Sequence, residues 1–225
     1  DRVGEKPFYY YHGTKTFGFA SRPTPIFKIY PSISTEYDIQ GLRLYLESGY
    51  FPFPYTFHKN IKKIPPGHYF IYDENGLEIN QYWSMNNFHT NENWLNRKED
   101  DLLDELDDLF LKSVTSRMVS DVPVGAFLSG GIDSSLVVAM MKKHKNKAIK
   151  TFTIGFNEKE YDESKTSSEI ANYLETDHTC EKLSVDSLLS LFPEFIKNFD
   201  EPFFDSAAFP TLAVSKLAKK KVSVV

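Results

Sequence analysis

The sequence has 225 residues, of which 41% are hydrophobic, and carries a formal net charge of -5 at pH 7. This composition predicts one large or two small folded domains; the charge gives no reason to expect binding to nucleic acid or a membrane surface, and no apolar run is long enough to span a bilayer. Cys180 is the only cysteine, so no internal disulfide can form and a reducing, cytoplasmic setting is expected.

The chain opens with the pattern of an aromatic, strand-rich domain. Phe8–Tyr11 and Thr16–Ser21 are aromatic segments on either side of a short turn, which predicts a β-hairpin. Asp38–Ser48 has helical spacing, with Leu42, Tyr45 and Leu46 on the apolar face that this spacing predicts.

A second hairpin and a linker are predicted next. Ile61–Tyr72 ends in an apolar and aromatic run typical of a strand, and Asp73–Gly76, with Asn-Gly at its tip, is typical of a hairpin turn. His68 has no carboxylate or nucleophile near it in the sequence, so we interpret it as structural rather than catalytic. Asn86–Asn96 is polar and lacks apolar periodicity, which indicates an interdomain linker.

Glu99–Val119 has the pattern of an amphipathic helix. Its apolar residues at helical spacing are Leu102, Leu103, Leu106, Leu109, Phe110 and Val114. It also carries a cluster of acidic residues, for which a metal site is one interpretation. A solvated face with acids near the helix N-terminus is favoured, because the spacing implies no ligand geometry.

The stretch V-G-A-F-L-S-G-G-I-D-S-S, which begins at Val124, organises the second half of the chain. Its first five residues are an apolar run typical of a buried parallel strand. Gly130 and Gly131 permit a tight turn and a close backbone approach to a ligand, and Ser134 and Ser135 are candidates to cap the following helix. A strand, a small-residue loop and a helix N-terminus together predict an anion site suited to phosphate.

Asp133 distinguishes this loop from the common nucleotide-binding signatures. The phosphate loop of NTPases has a lysine at this place, and the dinucleotide fingerprint Gly-x-Gly-x-x-Gly is absent. A carboxylate beside phosphate is unfavourable unless a cation lies between the two negative groups. Asp133 is therefore expected to hold Mg²⁺ against a pyrophosphate, and an ordinary strand–helix turn with glycines for packing is the competing interpretation.

A parallel sheet is predicted around this loop. Ile149–Phe156 has the pattern of a second strand, and strand–helix–strand connections of this kind are right-handed. Ligands in such sheets bind at the carboxyl ends of the strands, where Leu128, Ser129, Ile154 and Gly155 fall.

The remaining pattern predicts helices over about 164–174, over 188–199 with an interruption near Pro193, and over 211–220, and a strand over Val222–Val225. A buried strand needs neighbours on both sides to satisfy its backbone groups. Since the chain also begins at Asp1 without a methionine, we expect it to be an internal fragment of a longer protein.

Several strings resemble one family. Ser129–Ser134 (S-G-G-I-D-S) is similar to the pyrophosphate loop of the N-type ATP pyrophosphatases, and the longer Asp121–Ser135 resembles the glutamine-hydrolysing asparagine synthetases. Asp1–Tyr10 and Ile61–His68 resemble strings in the glutaminase domain of that family, and Asp200–Pro210 resembles its D-E-P-x-x-D-x-S-x-x-P segment.

The resemblance implies an α/β fold with two domains. Residues 1–85 would be the C-terminal part of a glutaminase domain of the N-terminal-nucleophile type, with antiparallel sheets. Residues 86–98 would be a linker, and residues 99–225 the N-terminal part of a parallel-sheet ATP pyrophosphatase domain, similar to the adenine nucleotide α-hydrolases.

The same resemblance implies ATP-dependent amide synthesis. Glutamine would be hydrolysed to glutamate and ammonia, and the side-chain carboxylate of aspartate would attack the α-phosphorus of ATP. Ammonia would convert the acyl-adenylate to asparagine, with AMP and pyrophosphate as the other products. The partners implied are these small molecules with Mg²⁺, without nucleic acid or membrane, and a homodimer is one possible assembly.

The family's ATP site falls by resemblance on Leu128, Ser129, Gly130, Gly131, Asp133, Ser134, Ile154 and Gly155. Asp1 would bind the α-amino group of glutamine, although the residues alone favour a strand-start charge paired with Arg2 or Lys6. Asp205 and Ser206 are weaker candidates for the acceptor pocket, because the match departs at the next residue, where serine is common. No catalytic residue falls within the chain, so residues 1–225 alone are expected to catalyse neither glutamine hydrolysis nor amide synthesis.

Two alternatives remain open at this point. One is a related amidotransferase or a β-lactam synthetase-like enzyme that uses another acceptor acid. The other is an inactive homologue that binds nucleotide or a partner.

Overall fold

The computed structural model describes residues 1–87, 96–145, 148–158, 160 and 162–225. The chain separates into two compact units: unit 1 comprises Asp1–Asn91 and Ile196–Asp205, and unit 2 comprises Glu92–Phe195 and Ser206–Val225. Most of the predicted linker, residues 88–95, lies outside the described residues. A short piece from late in the chain therefore belongs to the same unit as the first strands.

Unit 1 contains a three-stranded antiparallel sheet in the order β2-β1-β3. β1 (Tyr9–His12) and β2 (Phe17–Ala20) form the predicted hairpin, whose turn is closed where the Gly13 N–H donates to the Thr16 carbonyl at 2.8 Å. β3 (Ile61–Lys63) pairs with the other edge of β1.

α1 (Pro23–Ile29) covers this sheet, although no sequence pattern indicated it. Pro23 suits the first helical turn because its fixed φ is already helical and its missing N–H has no partner to lose there. Ile26, only 1% exposed, packs against Ile33 and Ile61 and forms the core of the unit.

α2 (Ile39–Ser48) confirms the predicted helix. The Asp38 carboxylate caps it by accepting a hydrogen bond from the Gly41 N–H at 2.9 Å, and Gly49 ends it with a φ of +80°. The prediction for Leu46 is wrong, because that side chain is 81% exposed whereas Gly41 is buried. Helical spacing locates an apolar stripe, but the neighbouring elements decide how much of the stripe is covered.

The second predicted hairpin is also present. β4 (His68–Asp73) and β5 (Gly76–Gln81) pair antiparallel, with Asp73 opposite Gly76. The Asp73 carboxylate accepts from the Asn75 N–H at 2.7 Å, which closes the turn. A 3₁₀ turn at Met85–Asn87 follows.

Unit 2 contains a parallel sheet in the order β6-β7-β8. Its strands are β6 (Gly125–Phe127), β7 (Lys150–Phe156) and β8 (Asp177–Leu183). α4 (Ile132–His144) connects β6 to β7, which confirms the predicted strand–helix–strand unit, and α5 (Ser164–Tyr173) connects β7 to β8. The mostly polar sequence of β8 explains why periodicity does not reveal it. The strand predicted over Val222–Val225 is reduced to a single parallel bridge, between Val224 and Val124 at the other edge of β6.

Helices cover both faces of this sheet. α3 (Glu99–Arg117), α4 and α5 bury their apolar residues together with Ala126 of β6. α8 (Ala208–Lys219) packs instead on Phe152, with Phe127 beside it. Neighbouring residues of a strand point to opposite faces of the sheet. Ala126 therefore faces α3, α4 and α5, and Phe127 faces α8 on the other side. The two short helices α6 (Val185–Leu189) and α7 (Phe192–Asn198) replace the single interrupted helix expected there.

The apolar face predicted for α3 is only partly covered. Val114 is 8% exposed and Phe110 packs on the core, but Leu103, Leu106 and Leu109 are each more than half exposed in this structure. The acidic residues of α3 behave as a solvated face, and Asp107 pairs with Lys143 of α4 at 2.6 Å. Among the residues that the structure describes, none of the helices has the length and apolar character needed to span a bilayer.

Candidate functional site

The predicted anion loop joins β6 to α4 at the carboxyl edge of the parallel sheet. The backbone of Leu128 continues the strand, because its N–H donates to the Phe152 carbonyl at 2.9 Å. The Leu128 carbonyl accepts a hydrogen bond from the hydroxyl of Thr153. The structure therefore brings Leu128 next to the carboxyl-terminal half of β7, which contains Ile154 and Gly155.

Two serine hydroxyls brace the loop. The Ser129 and Ser134 hydroxyl oxygens are 3.0 Å apart, and the Gly131 N–H donates to the Ser129 hydroxyl at 3.3 Å. Ser134 and Ser135 do not cap the helix as predicted: both lie in its first turns and donate to the Gly131 carbonyl, at 3.2 and 2.7 Å. Their position inside the helix, rather than before it, explains the difference.

The N-terminus of α4 consequently has no side-chain cap. Gly131 occupies the N-cap position with an extended backbone. The first N–H groups of any helix lack partners within the helix, and among the described residues no side-chain cap takes them here. They are available to an anion, and the helix dipole favours negative charge at this end.

Gly130 sets the approach of the loop to α5. Its φ is +85°, a left-handed conformation that favours glycine. A Cβ at this position would lie 3.2 Å from the Ser167 nitrogen and 3.3 Å from the Thr166 Cβ. At Gly131 a Cβ would meet only the Ser129 hydroxyl, at 3.4 Å. The first glycine is therefore required by conformation and contact, and the second by neither.

Asp133 is exposed and lies in the first turn of α4. In the part of the chain that the structure describes, no group of three or more His, Cys, Asp or Glu residues could hold a metal ion by itself. A carboxylate with water and phosphate oxygens is the usual protein environment of Mg²⁺. Asp133 is a single carboxylate at this place, and its role as a ligand of Mg²⁺ stays a prediction.

Ile154 and Gly155 close the site from β7. Ile154 is partly buried and packs on the cluster that contains Phe152 and Val214, so its side chain takes part in the core. Gly155 is buried, and a Cβ there would come within 2.7 Å of a carboxylate oxygen of Asp162. Asp162 follows β7 closely and was not singled out by its sequence pattern.

The two strings that resembled a glutaminase domain meet in unit 1. The Asp1 carbonyl accepts from the Gly67 N–H at 2.8 Å, and Gly4 lies against the Pro66 ring. A cavity of about 330 Å³ lies between them, lined by Asp1, Lys6, His68 and neighbouring apolar residues. The Nδ1 of His68 is 2.8 Å from the Pro66 carbonyl oxygen, which agrees with its structural interpretation.

The Asp1 carboxylate organises its own turn. It accepts hydrogen bonds from the backbone N–H groups of Val3, Gly4, Glu5 and Lys6 at 2.8–3.1 Å. It lines the cavity as well, so a ligand amine there would meet a carboxylate already held in place. Its role in binding glutamine stays a prediction.

The acceptor candidates Asp205 and Ser206 fall at a boundary. Asp205 belongs to unit 1 and Ser206 to unit 2. Asp205 lines a cavity of about 550 Å³ in unit 1, together with Tyr9, Phe51 and Phe203. The role of both residues stays a prediction.

The acidic pair before Asp205 is held within unit 1. Asp200 accepts from the Thr24 N–H at 2.8 Å and pairs with Arg22. The Glu201 carboxylate pairs with Lys63 at 3.0 Å, and its side chain is only 11% exposed. Glu201 also accepts from the Tyr9 hydroxyl and from a backbone N–H, each at 2.7 Å. The sequence pattern associated these acids with an acceptor pocket and did not indicate that they attach their segment to the rest of unit 1.

Comparison with known proteins gives two family matches in chain order. Residues 1–83 match the glutamine amidotransferase domain, and residues 105–225 match asparagine synthase. The first half and second half of the chain thus resemble two different catalytic modules.

Individual relatives match most or all of the chain. A putative glutamine-hydrolysing asparagine synthetase 2 of Methanocaldococcus jannaschii is 36% identical over all of this chain and 43% of its own length. Glutamine-hydrolysing asparagine synthetase 1 of Bacillus subtilis is 34% identical over all of this chain and 34% of its own length. The amidase chyE of Penicillium rubens is 30% identical over 72% of this chain and 26% of its own length. The chain thus spans less than half the length of these relatives.

Proposed function

The chain belongs to the asparagine synthase family, and from this we propose that the protein containing it makes asparagine from aspartate, ATP and glutamine. The glutaminase half supplies ammonia, and the synthetase half activates the side-chain carboxylate of aspartate as an acyl-adenylate. Ammonia then displaces AMP from that intermediate and forms the amide. The relatives named glutamine-hydrolysing asparagine synthetases support this assignment over the whole described chain.

The observation that carries the proposal is the loop between β6 and α4. A left-handed Gly130, two braced serines and an uncapped helix N-terminus lie together at the carboxyl edge of a parallel sheet. This arrangement suits a pyrophosphate group, because the first backbone N–H groups of α4 can donate to its oxygens.

The loop contributes most when the leaving group gains charge. Attack of the aspartate carboxylate on the α-phosphorus breaks the bond to the bridging oxygen, and negative charge develops on pyrophosphate. The N–H groups at the start of α4 are placed to donate to that charge, while the hydroxyls of Ser129 and Ser134 bond within the loop and hold it in shape. Since these donors are braced before the reaction, little reorganisation is needed when the charge appears.

We propose that Asp133 holds Mg²⁺ in this site. Its exposed carboxylate at the first turn of α4 would otherwise repel a polyphosphate bound to the same helix end. When bound, Mg²⁺ neutralises phosphate charge and supplies electrophilic stabilisation. Leu128 and Gly155, at the ends of adjacent strands, are proposed to border the base and ribose of ATP, with Ile154 serving both ligand contact and core.

In unit 1 we propose that the cavity beside Asp1 receives glutamine. The carboxylate is fixed by four backbone N–H groups and is suited to pair with the α-amino group of the substrate.

The single exposed cysteine, Cys180, fits the reducing environment of the cytoplasm. A homodimer remains a prediction, which light scattering of the full-length protein would check.

The test is acceptor-dependent release of pyrophosphate by the full-length protein, with aspartate compared with other carboxylic acids. Release with aspartate, reduced at least about tenfold by Asp133→Ala, is the expected result, because the loss of one charged ligand costs more than about 1.4 kcal/mol. Asp186→Ala is the matched control, since Asp186 is also an exposed acid in the first turn of a helix. Release only with another acid would change the substrate, and no release with any acid would refute the proposal.

A further inference from the structure

Asp162 connects three elements at the carboxyl edge of the parallel sheet. One carboxylate oxygen accepts from the Phe156 N–H at the end of β7, at 3.2 Å, and from the Ser164 N–H at the start of α5, at 3.1 Å. The other oxygen pairs with the Lys182 ammonium of β8 at 2.8 Å. The Asp162 side chain is 14% exposed, whereas the Lys182 side chain is 55% exposed, so the ion pair lies at the surface.

The charge on Asp162 is stabilised where it lies. The Lys182 ammonium and then the hydrogen bonds from Ser164 hold the pKa of this carboxyl far below its usual range. A carboxylate that keeps its charge makes stronger hydrogen bonds to backbone N–H groups than a neutral acid would.

Asp162 also lies against one of the predicted nucleotide residues. A Cβ on Gly155 would come within 2.7 Å of its carboxylate oxygen and within 2.7 Å of the Ser164 Cβ. The contact fixes the backbone of β7 at Gly155 relative to the start of α5. Any larger residue at Gly155 would displace the carboxylate.

The start of α5 in turn supports the anion loop. Gly130 is so close to Thr166 and Ser167 that a Cβ would lie 3.2 Å from the Ser167 nitrogen. Ser167 is buried, so it leaves no room for adjustment on that side. Displacement of the N-terminus of α5 would therefore move the support under Gly130 as well as the backbone at Gly155.

We propose that Asp162 is a positioning residue for ATP, holding Gly155 and the Gly130 loop in register through the N-terminus of α5. The inference rests on the proposed function, because it takes the ligand of that loop to be ATP. Asp162 does not touch the reacting atoms in this role and acts through the two glycines. The competing explanation is that Asp162 only caps α5 and affects stability alone.

The chain offers a matched control for that explanation. Asp38 has the same arrangement in unit 1: its carboxylate accepts from the Gly41 N–H at 2.9 Å, at the start of α2, and pairs with Lys62 at 3.2 Å. Asp38→Ala therefore removes a helix cap and an ion pair without changing the nucleotide loop.

The experiment measures equilibrium binding of α,β-methylene-ATP with Mg²⁺ to the full-length protein, without glutamine or acceptor, and records the Tm of each variant. Asp162→Ala is expected to raise the Kd about tenfold or more, the scale of a lost charged hydrogen bond. Asp38→Ala is expected to lower the Tm and to leave the Kd within about twofold of wild type, since the cap and the ion pair that it removes belong to unit 1 and not to the nucleotide loop. Lys182→Met is expected to change the Kd less than about threefold, because Lys182 is exposed.

A folded Asp162→Ala protein that binds the nucleotide as wild type does would overturn the positioning role. Equal weakening by Asp38→Ala would overturn it too, since the effect would then be one of general stability. If Asp162→Ala does not fold, Asp162→Asn replaces it, with a Kd raised at least about threefold expected and an unchanged Kd contradicting the proposal. Absence of nucleotide binding by the wild-type protein would instead refute the proposed function itself.

Discussion

Replacing Gly130 by alanine tests the geometry of the anion loop directly. The residue has a φ of +85°, and this left-handed conformation costs a non-glycine residue roughly 1–2 kcal/mol. The new Cβ would also lie 3.2 Å from the Ser167 nitrogen and 3.3 Å from the Thr166 Cβ, so the loop or α5 must shift by a few tenths of an ångström. We expect Gly130→Ala to lower the free energy of unfolding by about 1–2 kcal/mol or slightly more.

Two other glycines separate the contributions. Gly76 has a φ of +113°, but a Cβ there would meet nothing within 4 Å, so Gly76→Ala measures conformational strain without a clash. Gly131 has an N-cap φ of -74° and a Cβ contact of 3.4 Å with the Ser129 hydroxyl, so Gly131→Ala should change stability by less than about 1 kcal/mol. The difference between Gly130→Ala and Gly76→Ala then reports the contact with α5.

The assay combines thermal unfolding with pyrophosphate release by the full-length protein. Each kcal/mol shifts the Tm by roughly 2–8 °C in domains of 60–250 residues, which is readily measured. Because the loop also has to move, pyrophosphate release by Gly130→Ala should fall at least about tenfold, consistent with the sensitivity of catalysis to small displacements. A Gly130→Ala protein as stable and as active as Gly131→Ala would refute the left-handed conformation and its contact with α5.

Two further predictions concern partly buried polar groups. Glu201→Gln leaves the partly buried ammonium of Lys63 without its charged partner and should cost about 2 kcal/mol, measured by denaturant unfolding. Glu47→Gln is its control, since the pair of Glu47 with Arg43 is exposed and its loss should cost less than about 0.5 kcal/mol; equal losses would contradict the anchoring role of Glu201. Burial lowers the pKa of His178, and among the described residues its Nε2 is buried without a hydrogen-bond partner. The unfolded chain therefore binds a proton there more readily, so the contribution of His178 to stability should fall as the pH drops below about 6.5, by at most about 1.4 kcal/mol per pH unit. His178→Gln should reduce this slope, and an unchanged slope would exclude His178 as its source.

The elements predicted from the sequence share a local origin. The hairpin at Asp73–Gly76 follows from Asn-Gly turn chemistry, and the strand, loop and helix around Gly130 follow from an apolar run followed by glycines. Each pattern depends on residues within a few positions of one another. Helical spacing, by contrast, did not reveal that Leu46 and Leu106 are exposed, because coverage of a helix face depends on distant elements.

The sequence by itself determined the family resemblance, the two kinds of sheet and the position of the anion loop, since these are written in short contiguous strings. Only the tertiary structure decided that Asp162 supports Gly155, and that Glu201 anchors its segment within unit 1 through Tyr9 and Lys63. Glu201 is far in the sequence from the residues that it contacts, and Asp162 and Gly155 meet only at the end of a strand. No local pattern records such contacts, because they exist only once the chain has packed.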